Sequence, residues 1–412
     1  STVYQMKGLS KHDLMSIIFF KDGIVWLGDS YDSTTWRDSH FAPQHGRPDL
    51  SDEISNDIRK DIIEEVYEAQ SGHPGGSLSC ADILTVLYFN QMNINPEEPN
   101  SNLRDRLILS KGHSVAALYG ALAEKGYIEK EELKTFRKLE SRLQGHPDME
   151  QLDGIDFSTG SLGQGLSISN GMAIASKMDG LGCRIYCILG DGEIEEGQIW
   201  EAAMTSNKYQ LDNLCVILDY NGLQIDGTIE KVKELDCIQS KWESFGFNVI
   251  CCDGNNIEML ISAFDEAKQT KEMPSIIIAR TIKGKGVSFM ENKAEWHGKA
   301  PNKEEYDKAV DLADHLFNNK FNDLSKKDIE ALFKGQEIKE VEVGLNIVDL
   351  LLNMEIVKSK REAREFIQAG AISINGEKVV NIETIINENM FIENTYIVVK
   401  RGKKNYYIGK AK

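Results

Sequence analysis

The amino-acid sequence predicts an α/β fold, a doubly wound parallel sheet, joined to a small α+β domain at the C-terminal end. Near-continuous apolar runs of strand length, typical of parallel strands covered on both faces, recur along the chain: they are CRIYCILG, NLCVILDY, FNVICC and MPSIIIART. Stretches with helical spacing, such as SNGMAIASKM and EMLISAFDEAKQ, lie between some of them. A Gly-Asp-Gly turn at 190–192 ends the first run, at the edge where such sheets bind ligands.

The length and composition indicate a multidomain, soluble, globular protein. The chain has 412 residues, enough for two or three domains, with 41% hydrophobic and 27% charged residues. No apolar stretch approaches the ~20 residues of a membrane helix, so no membrane association is expected. The net charge of -18 disfavours nonspecific nucleic-acid binding by the whole surface. The seven cysteines form no C-x-x-C pair, which favours reduced core thiols in a cytoplasmic protein.

The first fifty residues have a different pattern of apolar and polar residues from the rest of the chain and form an unassigned N-terminal segment. IIFFKDGIVWLG predicts a hairpin, because Asp22-Gly23 is a turn signal between two apolar runs. The next domain begins at residue 51 and extends to 309. Its first helix is predicted to start with Ser51 as the N-cap, and isoleucine or valine then recurs every four residues on one face.

Residues 310–344 are charged and helical and are predicted to form a linker; an alternative is that 310–340 belongs with the domain at 345–412. In that domain Ser359 and Glu362 form a capping box, and Gly370 suits the end of the same helix. Asn375-Gly376 predicts a type I′ hairpin. Residues 341–412 contain 11 Lys/Arg and 9 Asp/Glu, a net charge of +2, so this part contrasts with the acidic remainder.

Oxygen-bearing residues follow two of the predicted strands. Asp191 comes directly after the first apolar run, and Asn221 follows NLCVILDY. With the carbonyl of Leu223, they offer three hard oxygens to an octahedral Mg²⁺ and leave room for diphosphate oxygens and water. Gly190 and Gly192 let the backbone approach phosphates. Gly-Asp-Gly alone is a weak signal, and Asn221 at the end of a second strand strengthens it.

Glycine–histidine motifs recur together along the same domain: they are SGHPGGSLS, SKGHSVAALYG, QGHPD, STGSLGQG and EWHGKAP. In their order and spacing, residues 52–309 resemble the N-terminal, diphosphate-binding half of transketolase, a thiamine diphosphate enzyme. SGHPGGSLS and SKGHS are more similar to transketolase than to deoxyxylulose-phosphate synthase, another thiamine-dependent relative. The resemblance implies a thiamine diphosphate-binding fold with thiamine diphosphate and Mg²⁺ as cofactors.

The resemblance also implies roles for individual residues. Asp191, Asn221 and the Leu223 carbonyl match the metal ligands, while Gly160, Ser161, Leu162 and Gly192 match the backbone that lines the cofactor. His113 and His297 match histidines near the diphosphate and thiazolium, and His73, His146 and His297 match those of the sugar channel. Glu196 and Glu201 match an acidic cluster between the two active sites of a dimer. Because an imidazole titrates near neutral pH, the histidines suit proton transfer at sugar hydroxyls.

The implied activity is that of a transferase of the pentose phosphate pathway type, which moves a two-carbon ketol unit between sugar phosphates. Transketolase also has a pyrimidine-binding domain, and nothing after residue 310 resembles it. The resemblance therefore implies that the partner is a separate pyrimidine-binding subunit, in a homodimer or a heterotetramer.

Residues 345–412 resemble an S4-type RNA-binding domain, as at the C-terminus of bacterial tyrosyl-tRNA synthetase. The similar residues are IVKSKREAREFIQAGAISINGEKVV and VVKRGKKNYYIGK. Lys360, Arg361 and Arg364 are predicted to form a basic helix face that contacts structured, tRNA-like RNA. Two alternatives to the enzyme remain open: an RNA-binding protein with a non-catalytic α/β scaffold, and an engineered or artefactual composite chain.

Overall fold

The computed structural model describes residues 17–20, 23–26 and 48–412, apart from 236, 319–320, 322–323, 334–337 and 403–404. The chain divides into two compact units, 1–45 and 46–412. In the first unit, β1 (Ile17–Phe20) and β2 (Gly23–Trp26) pair antiparallel, which confirms the predicted hairpin. Gly23, expected in the turn, is instead the first residue of β2 and pairs with Phe20. The other predictions for residues 1–47 lie outside the described residues.

A five-stranded parallel sheet forms the centre of the second unit and confirms the predicted fold class. Its strands are β3 (Arg106–Leu109), β4 (Ile185–Gly190), β5 (Leu214–Tyr220), β8 (Asn248–Asp253) and β9 (Ser275–Arg280). They lie in the order β3-β4-β5-β9-β8, and every neighbouring pair is parallel. A small hairpin of β6 (Leu223–Gln224) and β7 (Gly227–Thr228) follows β5.

Helices cover both faces of this sheet. They are α1 (Pro48–Ala69), α2 (Pro74–Ser79), α3 (Ala81–Val86), α4 (Val115–Lys125), α5 (Gly165–Met178), α6 (Gly197–Lys208), α7 (Ile229–Lys233), α8 (Ile238–Ser244), α9 (Ile257–Gln269) and α10 (Lys303–Asn318). Helix α1 begins at Pro48, not after Ser51, so the predicted N-cap is wrong; a proline at the first helical position has the φ that a helix needs. Among the described residues, no helix has both the length and the apolar character to cross a bilayer.

The strands are apolar on both sides because each side belongs to a different core. In β4, Tyr186 and Ile188 join the core beneath α1 to α4 and α9. Ile185 and Leu189 point the other way, into the core beneath α5, α6 and α8. Burying one such side chain stabilises the fold by about 1.5–3 kcal/mol. This two-sided burial explains why the sequence shows continuous apolar runs rather than alternation.

The C-terminal part is a second, five-stranded sheet with its own helices. They are α11 (Lys326–Leu332), β10 (Ile338–Val341), α12 (Ile347–Asn353), α13 (Lys360–Gln368), β11 (Ile372–Ile374), β12 (Glu377–Lys378), β13 (Tyr396–Arg401) and β14 (Asn405–Ala411), and the strand order is β10-β14-β13-β11-β12. We call residues 326–412 the tail domain. Since β10 pairs with β14, the tail sheet begins inside the predicted 310–344 linker.

The local signals read from the tail sequence occur in the structure. Ser359 Oγ accepts a hydrogen bond from the N–H of Glu362 at 3.2 Å and so caps α13. Glu362 Oε2 accepts from the N–H of Lys358 at 2.7 Å, one residue before the N-cap. Asn375 and Gly376 have φ angles of +48° and +97°, as a type I′ turn requires, and they join β11 to β12.

Candidate functional site

The loops after β4 and β5 meet at the carboxyl edge of the central sheet. Gly190 and Asp219 are paired in the register of the two strands. Asp191, the next residue, is 3% exposed, and its Oδ2 accepts a hydrogen bond from the N–H of Gly222 at 2.6 Å. Its Oδ1 accepts from the N–H of Gly192 at 2.9 Å. The structure therefore brings Asp191 and the Asn221 turn together.

The two other expected metal-ligand oxygens lie in the same turn. Asn221 Oδ1 accepts from the N–H of Leu223 at 3.1 Å. The Leu223 carbonyl accepts from Lys283 Nζ at 3.2 Å. Carboxylate, amide and carbonyl oxygens each carry further lone pairs, so these hydrogen bonds leave acceptor capacity for a hard cation. Among the described residues, no group of three or more His, Cys, Asp and Glu side chains is arranged to hold a metal. That statement concerns groups of these four residue types, so it does not bear on a site made of one carboxylate, one amide oxygen and one carbonyl oxygen.

A buried ion pair supports this turn from below. Asp219 is fully buried and pairs with Lys111, which is 2% exposed and also donates to the Gly76 carbonyl at 2.7 Å. Thr281 Oγ1 also donates to Asp219. Burial alone lowers the pKa of Lys111, but Asp219 raises it above its usual range. The lysine therefore stays charged, and it joins the SGHPGGSLS and SKGHS motifs to β5.

Glu193 ties three of the glycine motifs together. Its side chain is buried, and Oε1 accepts from the N–H of Gly163 at 2.9 Å and from Ser110 Oγ. Oε2 accepts from the N–H of Gly190 at 3.0 Å. Burial raises the pKa of Glu193 above its usual value. The sequence analysis missed this residue, although it stands directly after the Gly-Asp-Gly turn.

Three of the four predicted histidines form a cluster beside this edge. The ring centroids of His73 and His113 are 5.2 Å apart, those of His113 and His297 are 5.3 Å apart, and those of His73 and His297 are 5.5 Å apart. Lys283 Nζ lies 2.9 Å from Nδ1 of His297. Residues separated by up to 224 positions in sequence thus converge, and Lys283 joins the histidines to the Leu223 carbonyl.

The charge state of this cluster differs from the sequence-based expectation. Burial, with neighbouring cations, lowers the pKa of His73 to about 4, that of His113 to about 2 and that of His297 to about 4. The expectation that these imidazoles titrate near neutral pH is therefore wrong for the cofactor-free chain. They are neutral at pH 7, and each can donate one proton in a hydrogen bond and accept another.

His146 stands apart from the three clustered histidines. It is exposed, and its ring lies against Gly160, where an added Cβ would come within 2.9 Å of it. Gly160 has a φ of +144°, which a residue with a side chain adopts only with strain. Partial desolvation of the ring by the surrounding chain, followed by the charge of Arg137, lowers the pKa of His146 although the residue as a whole is exposed. Arg137 donates to Ser71 Oγ at 2.7 Å and to the Gly145 carbonyl at 3.4 Å, so it links the SGHPGGSLS and QGHPD motifs.

Two observations test whether the cleft suits a polar, anionic group. His73 Nδ1 and Ser114 Oγ are buried and have no hydrogen-bond partner within the described chain. Such orphaned groups are costly unless a ligand or water completes them. Gly76 lies against Ser114 and His113, because an added Cβ there would lie 2.9 Å from Ser114 Oγ and 3.7 Å from His113 Nε2. These groups and the hard-oxygen set fit a metal-bound diphosphate.

The remaining predicted positions are exposed. Ser161 and Leu162 are exposed in the loop before α5, and Leu162 is 39% exposed. Glu196 precedes α6 and Glu201 lies within it; both are exposed. Exposed side chains are available for contact with a ligand or with another subunit, which is the role that the sequence resemblance implied.

The tail domain presents only part of the expected basic face. Lys360 pairs with Asp349 at 2.7 Å, and Arg361 pairs with Glu365 at 2.9 Å. Arg364 is exposed and makes no ion pair with the described residues. Arg364 is thus the residue of the three whose charge is least compensated.

Two family models match the chain. The model of the transketolase thiamine diphosphate-binding domain matches residues 50–340. The model of the tyrosine–tRNA ligase SYY-like C-terminal domain matches residues 328–408. The two matches overlap at α11 and β10, where the structure starts the tail domain.

Related proteins match the first of these regions. An apulose-4-phosphate transketolase subunit of Phocaeicola vulgatus is 46% identical over 252 residues, which are 61% of this chain and 89% of that protein. The 6-deoxy-6-sulfo-D-fructose transketolase subunit SqwG of Clostridium sp. is 47% identical over 256 residues, 62% and 93% of the two chains. Human transketolase is 37% identical over 309 residues, 74% of this chain and 48% of that protein.

Solved structures agree with these matches. Transketolase from Leishmania mexicana has a TM-score of 0.59 at 29% identity, covering 68% of this chain and 45% of that one. Transketolase from Campylobacter jejuni has a TM-score of 0.59 at 29% identity, covering 76% and 56%. The chain therefore spans about half the length of the solved transketolases it matches.

Proposed function

The chain belongs to the transketolase family, as the half that binds thiamine diphosphate, and on that premise we propose how it works. Asp191, Asn221 Oδ1 and the Leu223 carbonyl would hold a Mg²⁺ ion, which would neutralise the charge of a diphosphate at the ends of β4 and β5. The observation that carries this proposal is the 2.6 Å hydrogen bond from Gly222 to Asp191 Oδ2. It supports a shared site because it brings the two ligand-bearing loops into contact.

The residues of the chain orient the reactants and handle protons. Bound thiamine diphosphate supplies an electron sink for breaking a carbon–carbon bond. His73, His113 and His297 are neutral and clustered, so they donate to and accept from substrate hydroxyl groups without repelling one another as cations. Lys283 Nζ contacts both Nδ1 of His297 and the Leu223 carbonyl. It therefore connects the histidine cluster to the proposed metal ligands.

The substrates and the partner follow from the family. We propose the transfer of a two-carbon ketol unit between sugar phosphates, with a separate pyrimidine-domain subunit that completes each site. Two relatives that match over most of their own length are themselves called transketolase subunits, which supports a partner chain. Glu196 and Glu201 are exposed and so are available for contact across a homodimer or a heterotetramer.

Binding of the cofactor tests the metal site directly. Calorimetric titration of thiamine diphosphate with Mg²⁺ into the full chain, with and without a candidate pyrimidine-domain partner, should show metal-dependent binding. Asp191→Ala should abolish that binding because it removes the one carboxylate ligand. Asp226→Ala, in the exposed turn between β6 and β7, is the matched control. Equal binding by the Asp191→Ala variant and the parent would contradict the proposed site.

A second candidate function, RNA binding, rests on the tail domain alone. The SYY-like match favours it, as does the exposed Arg364, which pairs with no described carboxylate. Affinity for a structured RNA should fall with rising salt, because phosphate contacts release counterions. Arg364→Ala should weaken binding more than Arg361→Ala, because Arg361 already pairs with Glu365. Affinity that is insensitive to salt and to both substitutions would exclude this role.

A further inference from the structure

The loop from Thr281 to Asn302 carries two residues of the site, Lys283 and His297, between β9 and α10. Apart from a short 3₁₀ turn at Ala294–His297, it has no regular secondary structure. It is anchored by single hydrogen bonds, such as that from the N–H of Gly284 to the Gly75 carbonyl at 2.9 Å. A loop of this kind depends on side-chain packing to keep His297 in place. We call residues 281–302 the site loop.

Phe289 is the aromatic residue in the middle of the site loop. It is half-buried, and its ring meets the ring of Trp296 edge to face, with centroids 5.4 Å apart and an angle of 65°. Such pairs contribute beyond their buried area. Trp296 is 2% exposed and directly precedes His297 in the chain. Because Trp296 is the residue before His297, the packing of Phe289 on Trp296 helps to fix the position of His297.

Phe289 also packs on a second core, which the tail domain forms together with Phe321 and Leu324 just before it; we call this the tail core. One face of the tail sheet forms a small core with α11 and the residues around it, and Phe289 is one of two half-buried residues that pack on this core. The core residues are Phe321, Leu324, Ile329, Phe333, Ile392, Tyr396, Val398 and Ile408. Phe289 belongs equally to the large core of the thiamine diphosphate-binding domain. It is thus shared between that domain's core and the tail.

A second contact holds the tail in this position. Lys308, on α10, pairs with Asp328, on α11, at 2.8 Å. Helix α10 is itself fixed to α1, where the rings of Tyr306 and Tyr67 stack with centroids 4.2 Å apart. Within α11, Glu330 Oε1 accepts a hydrogen bond from the Tyr396 hydroxyl of β13 at 2.8 Å. A continuous set of contacts therefore runs from α1 through α10 and α11 to the tail sheet.

We propose that the tail domain supports the site loop, and that Phe289 is the positioning residue through which it does so. The tail core limits the movement of Phe289, Phe289 limits that of Trp296, and Trp296 limits that of His297. This role is intramolecular and is independent of any RNA that the tail binds. The order of the site loop is a property of the chain alone, so it can be measured whether or not the proposed function is correct. Only the measurement of cofactor affinity rests on the proposed function.

Hydrogen exchange of the ligand-free full chain tests the proposal. Phe289→Ala should raise amide exchange in peptides covering 284–297 by about tenfold or more. Phe289→Leu, which keeps most of the apolar volume, should have a smaller effect. Phe89→Ala is the matched control, since Phe89 is also half-buried against the large core but does not pack on the tail. An unchanged loop in Phe289→Ala, or an equal rise in Phe89→Ala, would overturn the proposal.

A substitution in the tail core distinguishes two explanations: that the tail supports the site loop, and that Phe289 acts only by packing within the loop. Phe333 lies in the tail core, 44 positions from Phe289 in the sequence. The substitution Phe333→Ala should raise amide exchange at 284–297 as well as in α11. Exchange that rises in α11 alone would show that the tail does not support the loop. Both variants should also weaken binding of thiamine diphosphate with Mg²⁺. If the parent does not bind the cofactor, the proposed function fails while the exchange result still decides this inference.

Discussion

The backbone N–H of Gly222 donates to Asp191 Oδ2 at 2.6 Å, across the gap between the loops that follow β4 and β5. This bond joins residues 31 positions apart and places the only buried carboxylate of the expected metal set against the Asn221 turn. Contacts within the chain therefore fix the geometry of the site before a ligand binds. Pre-organisation of this kind lowers the cost of ordering a metal site when the ion binds.

Glu193 is expected to be a major stabiliser of the cleft. Glu193→Ala leaves the buried N–H of Gly163 and the partly buried N–H of Gly190 without their acceptor, and each such loss costs up to about 1–3 kcal/mol. We expect the free energy of unfolding to fall by about 2–4 kcal/mol in urea titrations. Glu196→Ala, at an exposed carboxylate three residues on, should change it by less than about 0.5 kcal/mol. Equal effects of the two substitutions would argue against the bridging role.

Glu65 should make the fold less stable as the pH rises. Its carboxyl is fully buried with no partner among the described residues, and burial, followed by Asp61 and Glu64, raises its pKa well above 4.5. Above pH 4.5 the unfolded chain loses this proton while the folded chain keeps it, so stability falls until the raised pKa is passed. Glu65→Leu should therefore stabilise the chain, and more at pH 8 than at pH 5.

The size of this effect follows from the cost of an unpaired buried polar group. We expect Glu65→Leu to raise the free energy of unfolding by about 1–3 kcal/mol at pH 8, as measured by denaturant titration at several pH values. Glu53→Gln, at an exposed position of the same helix, serves as the control. A gain that does not depend on pH would mean that the titration of Glu65 is not its cause.

Gly160 and Gly171 should respond in opposite ways to the same substitution. Gly160→Ala places a Cβ 2.9 Å from the His146 ring at a φ of +144°, which should cost about 1–3 kcal/mol of stability. Gly171 lies inside α5 with no atom within 4 Å of an added Cβ, so Gly171→Ala should stabilise by about 0.5–1 kcal/mol. Thermal and urea unfolding of both variants checks this. Destabilisation by both would show that helix α5 is more constrained than its contacts indicate.

Lys283 should influence the protonation of the histidine cluster. Burial is the larger cause of the low pKa of His297, and the charge of Lys283 is the next. Removing that charge in Lys283→Met should therefore raise the pKa of His297, although it should stay below 6.5 because the burial remains. Histidine ring resonances followed by NMR across pH 3–8 measure the shift. Lys285→Met, two residues along the same loop, is the control, and a similar shift in both variants would contradict a specific contact.

Several features of this protein could be predicted from local sequence. The apolar runs that became β4, β5, β8 and β9 were recognisable because strands buried on both faces are continuously apolar. The capping box at Ser359 and the Asn375-Gly376 turn depend on neighbouring residues alone, and both occur as expected. Strand β3 was missed, since Arg106–Leu109 is only four residues long and begins with a charge. The order of the strands has no local signal at all.

The sequence by itself determined the fold class, and it predicted the metal-ligand candidates at two strand ends and four site histidines, three of which are clustered in the structure. Only the tertiary structure decided that Lys283 holds His297, that Glu193 joins three motifs and that Phe289 is shared with the tail. It also decided that the clustered histidines are neutral, because their pKa values depend on burial and on cations from distant segments. Periodicity and turn chemistry act between near neighbours, whereas these contacts and charges arise only when the chain is folded.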